Sequence, residues 1–154
     1  MSVRAWLAGL TALCALGPGE ALAQKVQAQD GPAQVRGYLT SEATKHIDEG
    51  YRADPANPDL IRDLTTESAV IWTINLRRGT TYRVMAVCDN HCTDVDMDLY
   101  DQDGRFVGAD VTTTDKPFVE IAPQADGVGY ARIWLATCEA ETCTVGGRVY
   151  RKSR

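Results

Sequence analysis

The stretch CDNHCTDVDMDLYDQDG, residues 88–104, decides how the rest of the chain is read. In its second half Asp94, Asp96 and Asp98 alternate with Val95, Met97 and Leu99. Successive side chains of a strand point to opposite faces. The alternation therefore describes a half-buried β-strand with its apolar residues inward and its carboxylates outward. Asp103-Gly104 is a tight-turn signal, and RFVGAD (105–110) reads as the return strand of a hairpin.

The same period continues outward in both directions. SAVIWTINL (68–76) and TYRVMAVC (81–88) are β-branched and aromatic, with RRGT (77–80) between them, and read as a second hairpin. PFVEIAP (117–123) and VGYARIWLATC (128–138) flank the turn residues ADG, and CTVGGRVYR (143–151) closes the series. No helical period interrupts these runs. About seven short strands at this spacing predict an all-β fold, an antiparallel β-sandwich. Trp72, Ile74, Tyr82, Val84, Ile133, Trp134 and Leu135 are the expected core.

The first 64 residues are of another kind. MSVRAWLAGLTALCALGPGEALAQ has a basic residue at Arg4, an apolar run from Ala5 to Leu16, helix-breaking Pro18-Gly19, and small residues at Ala21 and Ala23. That order describes a cleavable export signal over residues 1–23. The run is too short to span a bilayer, and no other stretch is long and apolar enough, so the exported chain is expected not to cross a membrane. Residues 24–64 read as a flexible leader: a polar segment with Gly31-Pro32, a short helix over 40–51 closed by Gly50, and a linker holding Pro55 and Pro58. The sandwich is expected over 65–151. Removing Arg4 and Glu20 with the signal leaves the net charge at −5, and a mildly acidic surface offers no electrostatic footprint for nucleic acid.

Export governs the cysteines. Cys14 leaves with the signal, and the even remainder, Cys88, Cys92, Cys138 and Cys143, reads as two disulfides in an oxidising compartment. Local bridges Cys88–Cys92 and Cys138–Cys143 are geometrically simplest. Such a small ring gives only about 2 kcal/mol by loop entropy, against roughly 4 for a bridge from Cys88 to Cys138. Crossed pairings that tie distant strands therefore remain the alternative. Cys88, His91 and Cys92 with the second pair would also suffice for tetrahedral zinc, a chemistry that belongs mostly to reducing compartments. Neither pair has the C-x-x-C spacing of a redox centre.

The aspartates pose the metal question. Asp94, Asp96, Asp98, Asp101 and Asp103 are candidate ligands for Ca2+, which takes six to eight oxygens. An EF-hand frame fails, because Leu99 falls at its first position. Alternate strand residues lie about 7 Å apart, so one ion would need neighbouring loops. The same residues are also explained as a solvated face and a turn. For catalysis the chain offers only His46 and His91, with no G-x-S-x-G, H-E-x-x-H or Gly-rich phosphate loop. Tyr100, Tyr130 and Tyr150 could form an aromatic platform for a ligand or serve only in packing.

The order L-x-x-G-T-x-Y-x-V-x-A-x-C-D (76–89), D-x-D-M-D-L-Y-D-x-D-G (94–104), D-K-P-F-V (115–119) and G-V-G-Y-A-R-I-W-L (127–135) resembles the bacterial pre-peptidase C-terminal domain. The likeness covers roughly residues 66–150. It implies a jelly-roll-like β-sandwich, a non-catalytic binding or accessory role beside secreted enzymes, and, as in some relatives, calcium held by acidic residues. No attached protease domain is expected from these residues, and paired cysteines are not a general feature of that family. The expectation is an exported, periplasmic or extracellular, non-catalytic module with a protein or polysaccharide partner. A structural envelope protein and a small hydrolase are its competitors.

Overall fold

The computed structural model describes residues 18–153, with side chains from Asp30 to Lys152. The segment read as an export signal lies, through residue 17, outside the described residues. Among those described, one helix and nine strands follow in order: α1 (Pro18–Asp48), β1 (Arg52–Ala53), β2 (Leu60–Leu64), β3 (Ala69–Leu76), β4 (Thr80–Cys88), β5 (Cys92–Tyr100), β6 (Phe106–Asp110), β7 (Phe118–Ile121), β8 (Gly127–Cys138) and β9 (Cys143–Ser153). All strand pairings are antiparallel. The first sheet has β9 and β4 at its centre, with β1 and β2 along the outer edge of β9 and β7 beside β4; the second runs β3-β8-β5-β6. The fold is the all-β sandwich that the alternation in 94–99 leads one to expect.

The two sheets enclose one continuous core, in which Ile74, Val84, Val95, Met97, Leu99, Ile133, Leu135, Val145 and Val149 are wholly buried. Val95, Met97 and Leu99 face inward as the alternation requires. Burying each such side chain stabilises the fold by about 1.5–3 kcal/mol before entropy is charged against it. Trp134 departs from expectation. It lies on the opposite face of β8 from Ile133 and Leu135 and is only half-buried, because a period of two places 134 with 130 and 132 rather than with the core.

Three further expectations are corrected. The segments 68–76 and 81–88 do not form a hairpin: β3 pairs with β8, whereas β4 pairs with β7 and β9 in the other sheet. The turn at Gly79, whose φ is 84°, carries the chain across the sandwich. The leader is not a flexible segment with a short helix, since α1 runs unbroken to Asp48. The presumed linker is also part of the body, because β2 pairs with β9 from Leu60↔Gly147 to Leu64↔Cys143.

The helix is held by a second cluster, on the outer face of the first sheet. Val35 and Leu39 are wholly buried there with Met85, Val87, Tyr51 and Tyr150. This is why β4 is buried on both faces from Tyr82 to Cys88. Gly146 and Gly147 adapt β9 to its two neighbours. A Cβ on Gly146 would overlap the Val35 side chain of the helix, and one on Gly147 would come within 2.6 Å of the Trp72 ring in the core. The helix ends in a Schellman motif: Tyr51 N donates to His46 O and Gly50 N to Ile47 O, both at 2.9 Å, with Gly50 at φ 87°.

Candidate binding face

With α1 packed on β1, β2, β4 and β9, the two outer faces of the sandwich differ. The outer face of the second sheet carries Ile71, Phe106, Val128 and Tyr130, all exposed, with Ile71 and Phe106 at 60% and 61%. Register aligns them. Thr73, Tyr130 and Tyr100 are successive cross-strand partners, and Tyr100 pairs on with Phe106. One row therefore crosses all four strands. The Tyr100 and Phe106 rings meet edge to face, 5.9 Å between centroids and 69° between planes.

The next row is Ile71, Arg132 and Asp98. Arg132 donates to Asp98 at 3.2 Å and lies over the Trp134 ring, 4.5 Å from its centroid. Trp134 pairs in turn with Asp96. Asp96 is 8% exposed, and its Oδ1 has no hydrogen-bond partner. Burial holds the Asp96 carboxyl above the usual carboxylate range, and the negative charges of Asp94, Asp110 and Asp98 push the same way; the Trp134 indole N–H opposes them.

The remaining candidate ligands for calcium are engaged locally. Asp94 Oδ1 accepts from Thr114 N at 3.3 Å. Asp101 Oδ1 accepts from the backbone N–H groups of Asp103 and Arg105, both at 2.9 Å, which builds the turn at Gly104 (φ 74°), while Asp103 pairs with Arg105. Among the described residues no three His, Cys, Asp or Glu side chains converge to hold a metal ion. Of the five candidates, Asp94, Asp96 and Asp98 are spaced along one strand, and Asp101 and Asp103 are engaged in the turn.

The cysteines form the local pairs Cys88–Cys92 and Cys138–Cys143, with Cα separations of 5.8 and 6.0 Å. Cys92 and Cys138 are register partners on β5 and β8, so both bridges lie at one end of the sandwich. Buried Asp89 ties that end together: its two carboxylate oxygens accept from His91 N at 3.1 Å and Thr144 N at 2.7 Å. His91 is exposed, and the bridged sulfurs are not available as zinc thiolates.

Of the three tyrosines, Tyr100 and Tyr130 meet on the outer face and Tyr150 does not. Tyr150 is wholly buried beneath the helix, its ring 4.3 Å from that of His46. Phe106, Ile71, Val128 and the Arg132–Trp134 pair were missed as a group. The alternation V-x-Y-x-R-x-W in β8 carried the signal for three of them, but the register joining it to β3 and β6 lies in no local pattern.

No protein-family model matches the chain, and no curated protein matches it. Among solved structures it is similar to PliG of Aeromonas hydrophila, a periplasmic lysozyme inhibitor of g-type lysozyme. The identity is 12% and the TM-score 0.47, over 66% of this chain and 91% of that one. At that distance PliG's target does not transfer to this chain. Among the described residues no helix is long and apolar enough to cross a membrane.

Proposed function

We propose that this chain is an exported, non-catalytic protein-binding module, of the pre-peptidase C-terminal type that its sequence resembles, and that it docks through the outer face of the second sheet. The observation that carries this is the cross-strand row Thr73–Tyr130–Tyr100–Phe106, flanked by exposed Ile71 and Val128 and by the Arg132–Trp134 pair. Tyr, Trp, Phe and Arg are the residues enriched where protein interfaces concentrate their energy. An exposed apolar cluster rimmed by charge is a mark of such surfaces. The edge-to-face rings leave no flat shelf for stacking successive sugars, which favours a protein over a polysaccharide. Asp94, Asp96, Asp98, Asp101 and Asp103 stand on this face and its turn against Arg132 and Arg105. The excess of negative charge selects a partner with a basic surface.

Two bridges in place of free thiols suit an oxidising compartment. The described histidines give no support to a hydrolase: His46 faces Arg83 and Met85, and His91 is exposed on a loop.

The test compares three immobilised proteins exposed to the native periplasm or culture medium: wild type, Tyr130→Ser with Phe106→Ser, and a control substituted at Arg62 on the first sheet. Proteins retained by wild type and control, lost from the double variant and weakened by added salt carry the reading. Retention unchanged in the double variant overturns it. So does a retained fraction that is polysaccharide.

A further inference from the structure

We propose that His46 is a pH-sensitive latch that holds helix α1 on the first sheet while neutral and releases it when protonated. His46 sits in the last turn of α1 and is 6% exposed. Its Nδ1 lies 2.9 Å from the Arg83 guanidinium and its Nε2 3.2 Å from the Met85 sulfur, both on β4, and its ring packs on Tyr150 of β9. A guanidinium can only donate, so Nδ1 must carry a lone pair and the proton belongs on Nε2, facing the sulfur. The contact geometry therefore specifies the neutral imidazole.

A second proton has nowhere to go but Nδ1. There it would set N–H against N–H and place two cations in contact within a buried cluster. Glu49 favours the proton but less than burial and Arg83 oppose it; Glu49 and Glu120 are both already engaged by Arg83, each at 2.6 Å, and Tyr51 donates to Glu120 at 2.8 Å. On the helix itself Glu42 favours the proton weakly and Lys45 opposes it; burial, then Arg83, lower the His46 pKa below its ordinary value of 6.5. The sign follows. An unfolded or undocked His46 takes up its proton as pH falls through 6.5, while the docked one resists it. Docking is then complete above 6.5 and weakens progressively below it.

Release would uncover Met85, Val87 and Tyr150, a wholly buried apolar strip on a sheet face otherwise closed. The device is local, because the sandwich core lies on the other side of β4 and β9 and makes no use of His46.

Two measurements on the full chain test the latch. The first follows the His46 ring protons by NMR between pH 8 and pH 5. A midpoint below 6.5 is expected, and one at or above 6.5 overturns the proposal. The second measures amide-exchange protection factors in α1 and β8 over the same range. Protection of α1 should fall below pH 6.5 by no more than about tenfold per pH unit, the limit for one proton, while β8 holds. His46→Gln, whose amide can accept from Arg83 and donate to Met85, should remove that dependence. Parallel loss in α1 and β8, or an unchanged dependence in H46Q with the helix still docked, overturns it. Should H46Q leave the helix undocked at pH 8, the wild-type ring titration alone decides.

Discussion

Leu39→Ala separates a docked helix from a flexible leader. Leu39 is wholly buried, its side chain lies beside Gly146, and among the described residues its cluster on the first sheet holds Val35, Tyr51, Met85, Val87 and Tyr150 as its other buried members. Truncating a leucine in such a site costs about 2–5 kcal/mol, more where the surroundings cannot close over the cavity. Helix and strand meet here with a glycine as one wall, so some collapse is available, and about 2–4 kcal/mol is expected. Among the described residues of α1, Val35 is the other wholly buried apolar side chain, and burial of that kind stabilises by about 1.5–3 kcal/mol. The loss is thus a large part of the apolar anchorage that the described residues of α1 provide, and it should appear as undocking. Amide exchange reads this directly: at about 1.4 kcal/mol per decade, α1 should lose from roughly 30-fold to several hundred-fold in protection. β5 and β8 should change far less. Leu135→Ala, in the sandwich core, should lower all three together. If α1 protection in Leu39→Ala stays within about twofold of wild type, with the melting temperature unmoved, the helix is not anchored as described.

Asp96→Asn should raise the urea midpoint at pH 7. The folded-state pKa of Asp96 is raised, so the penalty of its charge develops as pH rises above 3.8 and is complete above the folded value; the gain should vanish at pH 3. Millimolar calcium should leave the melting temperature unchanged, since no three ligands converge among the described residues, and a rise would reveal a site. Replacing Cys138 and Cys143 together by Ser should cost about 2 kcal/mol and keep the fold, read by denaturant unfolding; total unfolding at room temperature would refute a local bridge of small effect. Gly147→Ala should lower global stability by about 1–3 kcal/mol through the Trp72 contact, whereas Gly146→Ala should loosen α1 alone. Matched thermal melts and amide exchange would distinguish the two.

What the sequence made legible is what a strand encodes within itself. The alternation of 94–99 decided which residues of β5 face inward. The Asp103-Gly104 turn gave the hairpin, and the short cysteine spacings favoured the local bridges. Each depends on residues a few positions apart. The face of Trp134 is equally local: its place two residues from Arg132 puts it outside, although a large aromatic residue is of the kind expected in a core. The β3–β4 error is different in kind. A four-residue turn between two apolar runs is consistent with a hairpin or with a crossing between sheets, and only the partners, β8 for one and β9 with β7 for the other, decide.

The helix shows why the candidate site was only half legible. In isolation the segment from Gln24 to Arg36 is polar and holds Gly31-Pro32, and nothing in its local pattern outweighs those breakers. The helix is held where Val35 and Leu39 meet a strand that has no side chain in the way, and that strand's Gly146-Gly147 read locally as a weak point in a sheet. The two facts explain each other only when brought into contact. Gly146 admits the helix on one side and Gly147 admits Trp72 on the other, and the first sheet's outer face is thereby closed. The second sheet has Arg132, Tyr130 and Val128 at the corresponding outward positions of its central strand β8, with no glycine among them, and its large side chains stay exposed. Which outer face keeps its large side chains exposed is therefore written in β9, on the far side of the molecule from the face itself.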